Sequence, residues 1–169
     1  MRIFILFIIS LCIATVSYAN MAVVKTLPEA SKISTYSYSY FLWDVYDIAL
    51  YADTDQISRK SDLALALTYK RDLKGQDISR HSIDEIQNLG FKDKKILKKW
   101  QSQMDTLFPD VQEGIMLTGI RKDNTAIFYR NETYLGTIKD ALFARYFFDI
   151  WLSPSTSEPD MRNALLGQK

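Results

Sequence analysis

A chain of 169 residues with 21 basic and 20 acidic side chains and 47% apolar residues has the length for one domain with its own core. A net charge near zero excludes the basic face that a nucleic-acid partner requires, and it gives no electrostatic drive toward an anionic membrane. The one cysteine, Cys12, excludes an internal disulfide framework.

The chain opens like a secretory leader. Arg2 supplies a positive start, residues 3–16 are apolar apart from Ser10 and Thr15, and Ser17-Tyr18-Ala19 puts small residues where a signal peptidase reads them. Residues 1–19 are therefore expected to be a cleaved signal peptide, and residues 20–169 one exported domain, periplasmic or secreted. An uncleaved anchor would need about 20 apolar residues. Lipidation at Cys12 would need a small residue beside it, where Leu11 stands. Cleavage removes Cys12 and Arg2, so the mature chain has no thiol and balances 20 basic against 20 acidic residues.

Residues 21–27 suggest a short first strand closed by Pro28. Tyr36-Ser37-Tyr38-Ser39-Tyr40 alternates with period two, and the strand pattern continues through Phe41-Leu42-Trp43 and Val45-Tyr46 to Tyr51. Leu63, Leu65, Leu67 and Tyr69 make one face of a further strand. Ala64, Ala66 and Thr68 on its other face leave room for a helix or a ligand. That window also suits a helix by propensity.

The spacing predicts helices over 77–89, ended by Gly90, and over the stretch after Asp93, where Ile96, Leu97, Trp100, Met104, Leu107 and Phe108 form a stripe. Lys92, Lys94, Lys95, Lys98 and Lys99 then make a solvated face. Residues 111–121 and 125–130 read as a hairpin turning at Lys122-Asp123-Asn124. Residues 139–152 are apolar nearly all round, so that helix is buried, with Arg145 and Asp149 four apart and able to pair. A short helix over 159–166 ends at Gly167. Strands, two helices, strands and helices in that order predict an α+β fold, a mostly antiparallel sheet carrying a helical layer on one face.

Chemistry is sparse. His81 is the single histidine and sits in a polar stretch, so no metal site and no Ser-His or Cys-His dyad can be assembled. The six glycines are scattered, which excludes a phosphate loop. No catalytic residue, cofactor or metal is assigned. The aromatic load of ten Tyr, nine Phe and three Trp suits a core, and Tyr also suits a cleft for a small apolar or amphipathic molecule.

Five segments carry a resemblance to a known family. They are Val45-Tyr46-Asp47-Ile48-Ala49-Leu50-Tyr51, Phe108-Pro109-Asp110-Val111-Gln112-Glu113-Gly114, the run from Phe128 through Thr133-Tyr134-Leu135-Gly136 to Ile138, Phe143-Ala144-Arg145-Tyr146-Phe147-Phe148-Asp149-Ile150-Trp151-Leu152, and the ending from Glu158 to Gly167. Together and in this order they resemble the bacterial chalcone-isomerase-like proteins. The resemblance implies an open-faced β-sandwich with a ligand cleft between a large antiparallel sheet and its helices. Plant enzymes of that family close a chalcone's phenolate onto its enone, and other members bind fatty acids without catalysis.

The catalytic members need a cation for the phenolate and a hydroxyl network for the ketone. Where related sequences carry an arginine before the Val45-Tyr46 segment, this chain has Tyr38. Ile115 follows Gly114 where related sequences often carry Asp. Arg121, Arg130 or Arg145 could replace the missing cation from another element. Tyr36, Tyr38, Tyr40 and Tyr46, with Tyr69 from the next strand, are the candidate ligand-lining residues. Arg162 is expected to tether the last helix, and Trp151 to be core. Three readings follow: a non-catalytic binder of a fatty-acid-like ligand, an intramolecular lyase of the chalcone isomerase type, and a partner-binding protein whose cleft is filled by its own side chains. No nucleic acid or metal partner is expected, and membrane contact is expected only through the transient leader.

Overall fold

The computed structural model describes residues 20–168. The expected leader, with Cys12, lies outside the described residues. Eleven elements follow one another: α1 (Met21–Thr26), β1 (Ser31–Tyr40), β2 (Trp43–Ala52), β3 (Leu63–Tyr69), α2 (Gly75–Asn88), α3 (Lys94–Leu107), β4 (Met116–Lys122), β5 (Thr125–Arg130), β6 (Thr133–Ile138), α4 (Ala141–Leu152) and α5 (Pro159–Leu165). The strands form one sheet in the order β1-β2-β3-β4-β5-β6, and every neighbouring pair is antiparallel. Helices α2 and α3 interrupt this meander between β3 and β4. The α+β architecture expected from the element order is the one observed.

Alternation divides the sheet into two faces. Tyr46, Ile48, Leu50 and Ala52 of β2, Leu63, Leu65, Leu67 and Tyr69 of β3, and Phe128 of β5 join the side chains of α2–α5 in one large core. Helix α4 lies over the sheet with Phe143, Ala144, Phe147, Phe148, Ile150 and Trp151 all buried. Each buried aromatic ring of this kind contributes about 1.5–3 kcal/mol. At Gly119 of β4 a Cβ would just touch the rings of Phe128, Phe147 and Phe148, at 3.4–3.5 Å, so the rings leave room there for a methyl group and nothing larger.

Capping follows the side chains available. Asp93 accepts from the Lys95 and Ile96 amides at the start of α3, and Asp140 from Leu142 and Phe143 at the start of α4. Gly90, at φ +100°, ends α2 as a left-handed residue. His81 is exposed in the middle of α2, and the lysines of α3 face solvent. Arg162 donates to the Leu152 carbonyl at 3.0 Å and so ties α5 to the end of α4, while Trp151 is buried.

Two expectations are corrected. Residues 21–27 form a helix, not a strand, because Asn20 accepts from the Ala22 and Val23 amides and starts a turn. The helix rests on the small-residue face of the sheet, where Val23 and Leu27 meet Ala64 and Ile120. Asn20 also donates to Thr118 Oγ1 at 3.0 Å. Second, the strand pattern running to Tyr51 is two strands joined at Phe41-Leu42, with Tyr40 paired to Trp43. An apolar turn carries none of the residues that mark one.

Candidate functional site

The tyrosines expected to line a cleft share one end of the helix-covered face. Antiparallel register sets Tyr38 opposite Tyr46 and Tyr46 opposite Tyr69, so the three occupy one rung across β1, β2 and β3. The rings of Tyr38 and Tyr46 lie 5.1 Å apart and those of Tyr46 and Tyr69 6.0 Å. From above, the Trp151 indole N–H donates to the Tyr46 hydroxyl at 3.2 Å. Tyr36 is half-buried on the same face against the core, and Tyr40 stands exposed at the tip of the β1–β2 hairpin. Tyr38, Tyr46, Tyr69 and Trp151 therefore fill this end with their own rings.

Its electrostatics disfavour an anion. The Tyr38 hydroxyl donates to Glu158 Oε1 at 3.0 Å, and Ser157 donates to Glu85 beside it. Burial, then the hydrogen bond to Glu158, push the Tyr38 phenol up. Burial does the same to Tyr46 and Tyr69. All three phenols stay protonated near neutrality and can donate a hydrogen bond without serving as a base.

The opposite end of the same strands is open. The β2–β3 loop, β4, the last turn of α4 and α5 enclose a cleft of about 470 Å³, with Ile57, Leu152 and Leu166 as apolar lining, Arg59, Arg121 and Arg162 as cations, and Asp55 and Asp149 as carboxylates. None of the five tyrosines lines it. Arg121 faces the helix side of the sheet opposite Leu63 and is buried. Its Nε donates to the Ser61 carbonyl at 2.9 Å and its Nη2 to that of Ser58 at 2.8 Å, so the guanidinium holds the β2–β3 loop. It also lies 5.6 Å from the centre of the Phe148 ring.

Asp149, buried on α4, is a carboxylate in the same lining. It pairs with Arg59 at 3.4 Å and with Arg145 at 3.8 Å, the second being the pair its spacing predicts. Burial raises its carboxyl even so, with Arg59, Arg145 and Arg121 opposing. Burial likewise lowers Arg121, with Asp149 and Asp62 opposing. Of the three arginines that could supply a cation, Arg121 is on the cleft wall and Arg145 is exposed on α4. Arg130 keeps a buried Nε with no hydrogen-bond partner among the described residues. The chain order hides this site, because residues 59, 121 and 149 meet only when the sheet and α4 pack.

Among the described residues no group of His, Cys, Asp and Glu could hold a metal ion, and no helix is long and apolar enough to cross a membrane. The cleft places three large apolar side chains beside guanidinium groups, a mixed surface that suits an amphipathic molecule.

Comparison with known proteins agrees in outline. No curated protein matches the sequence. Among solved structures, the crystal structure of a fatty-acid binding protein of Arabidopsis thaliana matches with a TM-score of 0.58 at 13% identity, over 81% of this chain and 84% of that one. At that identity the likeness establishes the open sheet with its helical layer and nothing finer. The family model described as chalcone isomerase-like matches residues 38–167. That match takes in every strand from the end of β1 onward and all of α2–α5, so the chain belongs to the chalcone isomerase-like family.

Proposed function

We propose that the protein is an exported, non-catalytic binder of a small amphipathic molecule of the fatty-acid type, seated in the cleft at the Arg121 end. The observation that carries this reading is the buried Arg121 guanidinium on the wall of a cleft of mixed lining, in which Ile57, Leu152 and Leu166 are the large apolar side chains. A volume of about 470 Å³ lies within the range of small-molecule sites, roughly 300–1,000 Å³. An anionic head would meet Arg121 with Arg59 or Arg162, and an apolar tail would meet Ile57, Leu152 and Leu166. The structural neighbour from Arabidopsis, a fatty-acid binding protein by description, supports the ligand class. The leader composition of residues 1–19 supports export.

Catalysis of the chalcone isomerase type is disfavoured by Tyr38. Where related sequences carry an arginine, its hydroxyl is bonded to Glu158, and a developing phenolate there would meet a carboxylate instead of a cation. In this reading Tyr36, Tyr38, Tyr46 and Tyr69 form the closed aromatic end of the helix-covered face. A second reading, a partner-binding protein with a filled interior, draws support from the same rings, since Tyr38, Tyr46, Tyr69 and Trp151 leave their end of the interface occupied.

Native mass spectrometry of the protein, alone and after addition of palmitate or a chalcone, tests these readings together. The expected result is a palmitate adduct whose affinity falls about 10–100-fold in Arg121→Met, the loss of a charged hydrogen bond. A mass unshifted by either compound rejects binding and favours the filled interior. Conversion of the chalcone to a flavanone above the spontaneous rate restores the enzyme. An adduct unaffected by Arg121→Met in a folded variant moves the ligand out of this cleft.

A further inference from the structure

The β1–β2 hairpin ends in four consecutive large apolar side chains, all exposed: Tyr40 at 61%, Phe41 at 84%, Leu42 at 96% and Trp43 at 64%. Two-residue hairpin loops normally carry Asn, Asp or Gly, because at least one position takes a positive φ. Here Phe41 occupies that position at φ +54°. A bulky L-residue in the left-handed region is strained by about 1–2 kcal/mol. Packing returns little, since the ring contact of Phe41 is an edge-on approach to Tyr40, itself exposed, at 4.8 Å. Neither turn chemistry nor the core accounts for Phe41-Leu42, and strain kept without a folding reason points to use.

The tip is layered. Phe41 and Leu42 form the apex, and Tyr40 and Trp43 pair across the rung behind it. A polar collar follows at once: Ser39 donates to Asp44 at 2.6 Å, Ser37 donates to Asp47, and Lys70 pairs with Asp47 at 2.8 Å. The Arg71 guanidinium lies 5.5 Å from the centre of the Trp43 ring. Apolar apex, Trp and Tyr belt, then cation and hydroxyls is the order met on passing outward from a bilayer's acyl region through its headgroups.

We propose that this tip seats in the interfacial layer of a phospholipid bilayer. The shape favours lipid over protein. At those exposures the apex and its flanking rung present about 600–700 Å² in all, wrapped round a convex tip. A second copy meeting it tip to tip covers only the facing part, short of the roughly 800 Å² per side that a stable protein interface buries. The turn's own peptide groups reach only headgroup depth, where water remains to solvate them. In the collar Asp44 and Asp47 offset Lys70 and Arg71, so the contact is apolar and requires no anionic lipid. The near-zero net charge of the chain, which gives no long-range attraction to a membrane, is consistent with this mode. Ten residues of β2 separate the tip from the cleft end, about 30 Å at strand rise. The tip can therefore dock while the cleft stays clear of the bilayer, and the inference holds whether or not the cleft binds a fatty acid.

Tryptophan reports the contact directly. Trp100 and Trp151 are buried and Trp43 is exposed, so a lipid-induced change in emission belongs to Trp43. The protein is mixed with phosphatidylcholine vesicles, with and without brominated acyl chains, and followed by co-sedimentation and fluorescence. The expected result is co-sedimentation, a blue shift, and quenching by the brominated lipid. In Phe41→Ser/Leu42→Ser the partition constant should fall about 100-fold, each side chain being worth a factor of ten or more. Leu42→Asp alone, at a side chain that touches nothing in the core, should lower binding with unfolding unchanged. Absence of co-sedimentation and quenching overturns the proposal. So does lipid-independent self-association that the same substitutions abolish, which would assign the tip to a second copy.

Discussion

Asp140 joins α3 to α4, and its removal should cost more than a cap alone. One carboxylate oxygen accepts from the Leu142 and Phe143 amides, both at 3.1 Å, and so starts α4. The other accepts from the Trp100 indole at 3.0 Å and from Lys99 at 3.3 Å on α3. Loss of an N-cap costs about 1 kcal/mol. Trp100 is fully buried, and leaving its N–H without an acceptor costs about 1–3 kcal/mol. The Lys99 pair, exposed on the lysine side, is worth well under 1 kcal/mol. Asp140→Ala is therefore expected to lose about 3 kcal/mol, roughly 6–12 °C in melting temperature for a domain of this size. Asp140→Asn keeps the cap but turns a donor toward the indole, so its loss should be about 1 kcal/mol smaller.

The pH dependence follows from the same contacts. Burial pushes the Asp140 carboxyl up, and the Trp100, Phe143 and Lys99 donors outweigh it, so the folded-state value lies below the ordinary one. The stabilisation is complete above about pH 4 and is lost as the pH falls below that value. Urea unfolding at pH 7 and pH 3 checks both points. The gap between Asp140→Ala and the parent should narrow in acid. A variant within 0.5 kcal/mol of the parent at pH 7, or a gap that widens in acid, would refute the reasoning.

Further outcomes follow from the packing. Gly119→Ala should be tolerated, its Cβ making ordinary contacts, whereas Gly119→Val should cost about 1–3 kcal/mol by forcing Phe147 and Phe148 off β4; equal stabilities in thermal unfolding would show the approach is slack. Phe41→Gly should hold stability level or raise it by up to about 1 kcal/mol through relief of the positive φ, and a clear loss in denaturant unfolding would mean the tip supports the fold.

Much of the architecture was legible because it rests on local chemistry. Asp93 and Gly90 mark helix ends, Lys122-Asp123-Asn124 marks a turn, and the apolar surround of residues 139–152 marks a buried helix, each through contacts within a few residues. The tyrosine alternation was also legible as strand, and five other segments, from Val45-Tyr46 to the ending at Gly167, carried the likeness to the family that the match over residues 38–167 shows. Local chemistry misleads where it is spent on something else. Phe41-Leu42 carries no turn residue and hid the hairpin, and the apolar run at 21–27 suits a strand until Asn20 caps it and Ala64 gives it a bed.

The site belongs to tertiary structure almost entirely. Alternation put Tyr38, Tyr46 and Tyr69 on strands, but only strand register set them on one rung and let Trp151 close over them. Arg59, Arg121 and Asp149 come from a loop, a strand and a helix, and no spacing along the chain relates them. A helix or turn is written in neighbours because its hydrogen bonds close within four residues. A cleft is written in distant residues because its charges meet only after the sheet has paired and the core has buried its rings.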